Sequence, residues 1–223
     1  MELEKILNIR KGVTALIGGG GKTALLYALG RKLSKKGTVI LCTTTRIFPP
    51  AHIPCLLSPT EEDVRAVLSE SRCICVGTLT GERKLSAPNL PFSALTALAD
   101  YVIAEADGAR MRPIKAHAAH EPVIPAEANQ TILVIGADGL GKPIEKVVHR
   151  PEIFCAALGL SPEDVVTPER EAAFVNLESL HNRVFLNQVE SAAQMAAARE
   201  LAALLDCPTA AGSLQKEDVI CLY

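Results

Sequence analysis

A glycine-rich run near the amino terminus constrains the fold of this chain more than any other feature. The run, Gly18–Thr23, reads GGGGKT and follows the short apolar segment Val13–Ile17. It opens the segment Lys22–Lys35, which ends with basic residues and a glycine, as helices commonly do. A strand, a glycine turn and a helix in this order are the context of a phosphate-binding loop, or P-loop. The run therefore predicts an α/β fold with a phosphate site.

The residue types in this run suit the binding of a nucleoside triphosphate. Glycines leave backbone N–H groups unobstructed, and the N-terminus of a helix carries partial positive charge. Lys22 would reach the β- and γ-phosphates, and the Thr23 hydroxyl would ligate Mg²⁺. The alternative is a merely flexible glycine run that precedes a helix. The residues expected to bind ATP or GTP with Mg²⁺ are Gly18, Gly19, Gly20, Gly21, Lys22 and Thr23.

The spacing of the run separates it from the common G-x-x-x-x-G-K-[ST] loop. Leu16, not glycine, stands five residues before Gly21. The run instead resembles the compact G-G-x-G-K-T loop of the MinD, ArsA and signal-recognition-particle branch of P-loop proteins. MinD and ArsA relatives carry an extra lysine just before the first glycine, where this chain has Ile17. The resemblance leaves a homodimer across the nucleotide open, but without a lysine that would cross to the partner.

Strand and helix patterns alternate along the whole chain. This rhythm predicts three layers, with a mainly parallel sheet covered by helices on both faces. We expect one P-loop NTPase-like domain over residues 1–223, with functional loops at the carboxyl ends of the strands. Further strands are predicted at Thr38–Thr43, Cys73–Gly77, Tyr101–Ala104, Thr131–Ile135, Val184–Leu186 and Asp218–Leu222. Further helices are predicted from the N-cap Thr60 to Glu70 and at Ala94–Ala99, Pro151–Leu158, Pro168–Phe174 and Ser191–Leu205.

Composition limits the classes of function. The 223 residues are 48% hydrophobic and 22% charged, which is typical of a globular domain. A formal net charge of −2 gives no support for a large nucleic-acid-binding surface. No apolar run reaches the roughly 18 residues of a membrane span, and the charged start, MELEKILNIRKG, lacks the apolar core of a secretory signal. We expect a cytoplasmic protein whose seven cysteines are mostly buried thiols.

Polar residues follow two predicted strands at the edge where the phosphates would lie. Thr44 follows the second strand and would contact Mg²⁺ or the γ-phosphate, unless the threonines there simply extend the strand. Glu105 and Asp107 follow the strand Tyr101–Ala104; one would orient Mg²⁺ and the other a nucleophilic water or hydroxyl. The alternative for this pair is an ordinary Asp-Gly turn. The predicted metal ligands are Thr23, Glu105 and Asp107.

The stretch 107–129 is polar, carries three prolines and is predicted to be a long functional loop. Its cations and imidazoles would meet phosphate or an anionic substrate. They are Arg110, Arg112, Lys115, His117 and His120, followed by Glu121. For each histidine the alternative is a surface or capping role. The predicted catalytic residues are Lys22, Glu105, Asp107 and Arg110.

The segment Asn187–Glu190, after the strand Val184–Leu186, resembles the N-K-x-D base-reading motif of GTPases. In that motif the acid accepts hydrogen bonds from guanine. Here Glu190 replaces the acid with one extra methylene, and Gln188 replaces the lysine that covers the ring. The motif predicts that Asn187 and Glu190 contact the base, with guanine preferred. The alternative is a polar turn between a strand and a helix.

Several segments in a fixed order are similar to those of one family, the YqeC-like selenium-dependent hydroxylase accessory proteins. The segments are GGGGKT, CTTTRIFPP, EADGARMRPIKAHAAHEPVIP, GADGLGKP, VHRPE and VFLNQVE, and they extend from about Val13 to Glu190. The third is the most specific. The resemblance implies a role in maturing molybdenum hydroxylases that need a labile selenium centre, with a hydroxylase or its maturation proteins as partner. The site residues that it implies are Gly18–Thr23, Thr44, Glu105, Asp107, Arg110, Lys115, His120 and Glu121.

Three functions follow from these observations, and we favour the first. The first is an NTPase that couples hydrolysis to the assembly or insertion of a metal cofactor. The second is a small-molecule kinase or nucleotidyl-type transferase, with the loop 107–129 binding the acceptor. The third is a nucleotide-sensing adaptor without turnover, whose loops become ordered on binding.

Overall fold

The computed structural model describes residues 2–81 and 83–222. The strands are β1 (Gly12–Gly18), β2 (Val39–Thr43), β3 (Cys55–Leu57), β4 (Cys73–Leu79), β5 (Leu85–Ser86), β6 (Tyr101–Glu105), β7 (Ile114–Lys115), β8 (Ala128–Gly136), β9 (Val148–His149), β10 (Arg183–Asn187), β11 (Thr209–Ser213) and β12 (Asp218–Cys221). The helices are α1 (Leu3–Ile6), α2 (Lys22–Leu33), α3 (Glu61–Glu70), α4 (Phe92–Leu98), α5 (Ile144–Val147), α6 (Pro151–Leu158), α7 (Pro168–Glu178) and α8 (Ala192–Ala203).

The main sheet is mostly parallel and places β1 near its centre. Its strand order is β12-β11-β10-β8-β1-β6-β2-β4-β3, and β5 pairs with β4 off this path. Along this order the edge pair β11–β12 is antiparallel and the other pairs are parallel. Within β1, Ala15 lies opposite Ala104 of β6 and Thr131 of β8. The carboxyl ends of β1, β6, β8 and β10 therefore meet at one edge of the sheet.

Both faces of the sheet are covered, because neighbouring residues of β1 point into different cores. Leu16 packs with Leu29 of α2 on one face. Ile17 belongs to the cluster on the other face with Phe154 of α6 and Phe174 of α7, whose ring centroids are 4.6 Å apart. A third cluster holds α3 and α4 against β2, β4 and β6. This architecture confirms the predicted fold class and is consistent with a P-loop NTPase-like fold.

The sequence does not predict several short elements, namely α1, α5, β3, β5, β7, β9 and β11. The five residues of β11 read TAAGS, and this small-residue composition does not favour a strand. The strand forms because β10 and β12 pair with its two edges and all of its residues are buried. Tertiary pairing therefore outweighs local propensity here.

The stretch 107–129 is less irregular than the sequence indicates. Ile114–Lys115 forms β7 and pairs with β9, and residues 128 and 129 already belong to β8. Near its start, Arg110 and Met111 have φ of +46° and +62°, a left-handed conformation that is uncommon for residues with a side chain.

In the described part of the chain, no helix has the length and apolarity that a membrane crossing requires.

Candidate functional site

A cavity of about 740 Å³ opens at the carboxyl edge of the sheet, over the N-terminus of α2. Three central strands supply part of its polar wall: Glu105 ends β6, Asp138 follows β8 and Gln188 follows β10. The stretches 46–51 and 108–113 form two further walls. Small-molecule sites commonly have about 300–1,000 Å³. The cavity therefore has the size and place of a ligand site in a parallel α/β fold.

The glycine run joins β1 to α2 in a conformation that favours glycine. The backbone φ is +96° at Gly18, +60° at Gly20 and +101° at Gly21. A side chain at Gly20 would also collide with β8, since an added Cβ would stand 2.6 Å from the Gly136 Cα. The turn and its close packing against β8 both require glycine.

Protein acceptors already engage the first three glycine amides. The Gly18 N–H donates to Asp107 Oδ2 at 2.8 Å. The Gly19 and Gly20 N–H groups donate to the carbonyls of Val134 and Arg112, at 2.8 and 3.3 Å. The open donors therefore begin at Gly21, the N-cap of α2. The first amides of a helix have no partner within it, and none of the side chains in 2–81 and 83–222 caps α2.

Lys22 is the first residue of α2, and only 4% of it is exposed. Its Nζ donates to the Gly18 carbonyl at 2.5 Å and lies 3.0 Å from Asp107 Oδ1. Glu105 Oε1 lies 3.9 Å away. The ammonium is thus held over the glycine turn, where the phosphates of a nucleotide would compete with two carboxylates for it.

Asp107 is fully buried and lies beside Lys22 and the glycine turn. Its Oδ2 accepts the Gly18 amide and lies 2.7 Å from His117 Nε2. Burial acts to raise the pKa of Asp107, but the bond to His117 and the charges of Lys22 and Lys115 hold this pKa well below its usual range. This carboxylate positions the glycine turn and Lys22.

His117 joins Asp107 to helix α7. Its Nδ1 lies 2.7 Å from Glu178 Oε2, and its backbone N–H donates to Glu178 Oε1 at 2.8 Å. Because both ring nitrogens face carboxylates, the doubly protonated imidazolium suits this place best. Burial acts to lower the pKa of His117, but the two carboxylates raise it above the usual value. The sequence offered this residue as a phosphate contact, and the structure places it in a buried ionic chain.

Lys115 and Glu121 extend the same network. Lys115 Nζ donates to the Gly108 carbonyl at 2.6 Å and lies 3.0 Å from Glu121 Oε1. Arg150 Nε donates to the same Glu121 oxygen at 2.8 Å. Charges of opposite sign alternate through the network, as a buried cluster requires. Its cations are Lys22, Lys115, His117 and Arg150, and its carboxylates are Glu105, Asp107, Glu121 and Glu178.

Thr23 and Glu105 suit a Mg²⁺ ion that also binds phosphate. The Thr23 hydroxyl donates to Glu105 Oε2 at 2.7 Å, and both residues line the cavity. Burial raises the pKa of Glu105, against the effect of Lys22. Among the described residues, no group of three or more His, Cys, Asp or Glu could hold a metal alone. A magnesium site here would need phosphate and water oxygens to complete it, as nucleotide sites commonly do.

The other predicted residues of the loop and of β2 differ in their placement. Arg110 is exposed and lines the cavity. The Thr44 hydroxyl donates to the Val123 carbonyl at 2.7 Å and so fastens the loop 107–129 to the end of β2. His120 is exposed on that loop.

The segment Asn187–Glu190 connects the glycine turn with β11. Asn187 Nδ2 donates to the Gly20 carbonyl at 2.7 Å, and its Oδ1 accepts the Leu214 amide at 3.2 Å. Glu190 is exposed, and its Oε1 accepts the Ser213 hydroxyl at 3.2 Å. The Asn187 side chain therefore holds the glycine turn against the end of β11.

Sequence reasoning missed several residues of the cavity wall. Asp138 and Gln188 each carry a buried oxygen, Oδ1 and Oε1, without a hydrogen-bond partner among the described residues. Both oxygens lie over Gly136, where an added Cβ would stand 2.8 Å from Asp138 Oδ1 and would collide with Gln188 Oε1. Buried acceptors without a partner are uncommon in proteins, and both belong to residues that line the cavity. The GADG and NQVE segments were the available signals for these two residues, and the segment CTTTRIFPP was the signal for Phe48. Tyr27 and Lys84, also on the wall, had none.

Two comparisons relate the chain to known proteins. The profile of a family described as YqeC protein matches residues 14–152, which include the glycine run and every member of the network around Asp107 except Glu178. The chain is also 31% identical over 210 residues to a protein of Escherichia coli (strain K12) named Uncharacterized protein YqeC. That similarity covers 86% of this chain and 82% of the relative. On both findings, this chain belongs to the YqeC protein family.

Proposed function

We propose that this YqeC family protein binds a nucleoside triphosphate with Mg²⁺ in the cavity over α2 and hydrolyses it. One observation carries the proposal. Lys22 and the uncapped amides that begin at Gly21 meet at the floor of a cavity of about 740 Å³. A lysine charge beside a helix N-terminus is a favourable site for phosphate oxygens.

The charges around this cavity also favour a polyanion. Its wall carries more cationic side chains than carboxylates, and a triphosphate would be drawn to this excess. The cations are Lys22, Arg46, Lys84, Arg110 and Arg112, and the carboxylates are Glu105 and Asp138.

The chemistry divides among few side chains. Thr23 and Glu105 would hold Mg²⁺, which when bound would neutralise charge on the β- and γ-phosphates. Lys22 would leave its carboxylate partners and balance the charge that develops on the transferred phosphoryl group. Glu105 is also the wall carboxylate that would accept a proton from an attacking water. Asp107 would act indirectly, by positioning Lys22 and the glycine turn.

The wall also supports a preference for guanine. Asp138 Oδ1 and Gln188 Oε1 are two buried acceptors close to Gly136 without partners among the described residues, and a base would reach them once their side chains turn toward the cavity. Guanine offers two neighbouring donors, N1–H and the 2-amino group, whereas adenine offers one amino group on that edge. The resemblance of Asn187–Glu190 to a guanine-reading motif supports the same base.

The proposed cellular role rests on the family resemblance. We propose that turnover assists the maturation of selenium-dependent molybdenum hydroxylases, or cofactor insertion into them.

A small-molecule kinase or nucleotidyl-type transferase is the second candidate. It is favoured by a second cavity, of about 530 Å³, that shares Gly108, Arg110 and Arg112 with the first. An NTPase would consume nucleotide alone, and a transferase would consume it only with an acceptor.

Calorimetric titration of wild type and Lys22→Ala with non-hydrolysable GTP and ATP analogues, with and without Mg²⁺, tests the nucleotide site. We expect Mg²⁺-dependent binding, tighter for GTP, and a loss of about 10- to 100-fold in Lys22→Ala. That loss corresponds to about 1.5–3 kcal/mol for a charged hydrogen bond. Phosphate release from GTP measures turnover separately.

Two further variants control this experiment. Lys32→Ala changes a lysine in the last turn of the same helix, paired with Glu217 at 3.6 Å, and should bind as wild type. Lys22→Arg keeps a positive charge beside the buried Asp107. Thermal unfolding of both Lys22 variants shows whether weaker binding comes from a lost phosphate contact or from a less stable fold. Equal affinity in Lys22→Ala and wild type would refute the proposed site.

A further inference from the structure

A second cavity, of about 530 Å³, adjoins the nucleotide cavity. The segment 108–112 is a shared wall, since Gly108, Arg110 and Arg112 line both cavities. The end of β9 and the start of α6 supply the facing wall, with His149 and Arg150. A volume of this size lies within the range of small-molecule sites, about 300–1,000 Å³.

Three guanidinium groups face this space. Arg110 and Arg112 form no salt bridge or side-chain hydrogen bond with any residue in 2–81 or 83–222. Arg150 pairs with Glu121 through Nε, which leaves its two terminal nitrogens for a ligand. Guanidinium groups bind phosphate and carboxylate oxygens with two parallel hydrogen bonds.

The carboxylates around this space do not cancel these cations. Glu121 is shared between Arg150 and the buried Lys115. Glu145 is exposed and lies 3.0 Å from Lys146. Glu152 is exposed in the first turn of α6. Arg110 and Arg112 therefore keep their charge for an occupant.

The backbone and His149 indicate the same positive potential. Helix α6 has eight residues and begins here without a side-chain cap, after Arg150 at φ +67°. Because Pro151 has no N–H and the Ile153 N–H donates to the Arg150 carbonyl at 3.1 Å, the first turn leaves the Glu152 amide as its donor for a ligand. Burial lowers the pKa of His149, and the charges of Lys115 and Arg150 lower it further. Neighbouring cations lower the pKa of an imidazole because they disfavour its positively charged form.

We propose that Arg110, Arg112, Arg150 and the N-terminus of α6 bind a small molecule through its phosphate or carboxylate group. Its role as a second ligand of the nucleotide reaction rests on the proposed function, whereas anion binding itself does not. Because Arg110 and Arg112 line both cavities, we expect each ligand to change the affinity for the other.

Titration with inorganic phosphate, and with citrate in the sample that contains no Mg²⁺, tests this site. Two samples isolate it from the glycine turn: wild type saturated with a non-hydrolysable GTP analogue and Mg²⁺, and Lys22→Ala without nucleotide. We expect binding in both, weakened at least tenfold by Arg150→Ala. Arg150→Lys keeps a positive charge beside Glu121 but loses the planar guanidinium group that binds an anion with two hydrogen bonds, and it should also weaken anion binding. Arg170→Ala, which removes an arginine paired with Asp164 at 3.2 Å outside this cavity, is the matched control.

The outcomes separate this proposal from the nucleotide site. Anion binding that depends on Arg150, in a protein that binds no nucleotide, would support the second cavity and refute the proposed function. No anion binding by wild type at millimolar concentrations would overturn the second cavity. So would equal binding by wild type, Arg150→Ala and Arg150→Lys. Phosphate binding that Lys22→Ala abolishes would assign the anion to the glycine turn and overturn the second site as well.

Discussion

At the scale of single residues, buried charges hold the glycine turn in place. Asp107 contacts Lys22, Lys115, His117 and the amide of Gly18. A buried charge costs several kcal/mol unless partners compensate it, so each member of this network depends on the others. The turn that would hold phosphate is therefore coupled to the loop 107–129 and, through His117, to α7.

His117→Gln tests this coupling through the pH dependence of stability. The folded-state pKa of His117 is raised above 6.5, so its stabilising contribution is fully present below pH 6.5. That contribution disappears as pH rises through the raised folded-state pKa. We expect His117→Gln to lose about 3 kcal/mol or more of unfolding free energy at pH 6. Urea unfolding between pH 5.5 and 9 measures both the loss and the slope.

The control for this prediction is His52→Gln, because His52 is exposed. It should keep the wild-type stability and the wild-type slope. A His117→Gln protein with the same slope as wild type would show that His117 does not titrate as the network requires.

At the scale of elements, the start of α2 differs from the starts of the capped helices α3, α7 and α8. Side chains cap α3, α7 and α8, through Thr60, Thr167 and Ser191. Helix α2 has glycine at its N-cap and no side-chain cap from a described residue, and its first turn has no acidic residue. Its open amides are thus left for a ligand, where a capping oxygen would otherwise compete.

Asn187 connects three elements, and its loss should loosen the glycine turn. Asn187→Ala removes the bonds to the Gly20 carbonyl and the Leu214 amide. We expect a loss of about 1–3 kcal/mol in stability and weaker binding of both GTP and ATP analogues. Urea unfolding and calorimetric titration measure the two effects.

The exposed Glu190 separates base reading from support of the turn. Glu190→Ala should change stability by no more than about 0.5 kcal/mol. Under the base-reading hypothesis it should lower GTP affinity and leave ATP affinity unchanged. If Glu190→Ala changed the affinities for GTP and ATP equally, Glu190 would have no role in base recognition. If Asn187→Ala had the stability and affinities of wild type, Asn187 would not support the glycine turn.

At the scale of the whole molecule, strands of one sheet supply the polar wall of the cavity over α2. The walls from β6, β8 and β10 lie beside β1 in a single parallel sheet. We therefore expect one cooperative unfolding transition over residues 1–223, as the single-domain prediction requires. Two separate calorimetric transitions would contradict it.

Nucleotide binding should raise the unfolding temperature of the whole chain. At a ligand concentration of 100 times Kd, stability rises by about 2.7 kcal/mol. For a chain of this size we expect the midpoint to rise by roughly 5–10 °C. Differential scanning calorimetry with a GTP analogue and Mg²⁺ measures the shift. Lys22→Ala should show little shift under the same conditions, and a full shift in that variant would place the nucleotide elsewhere.

The sequence by itself determined the fold class and the place of the glycine turn. The order of β1, glycines and α2 is local, and helix α6 has its predicted bounds because proline and a final glycine mark its ends. The ends of β2, β6 and β10 were also predicted closely. These features depend on periodicity, turn residues and caps, which act over a few neighbouring residues.

Only the tertiary structure decided which polar residues meet. It placed Glu105 on the cavity wall and Asp107 behind that wall and fully buried, although the two are two residues apart. It also brought Asp138 and Gln188 together over Gly136. Sequence spacing does not encode these contacts, because they arise where the ends of separate strands pack at one edge. Strand order and burial are set by the whole sheet, and they determine whether a carboxylate meets a ligand or a buried cation.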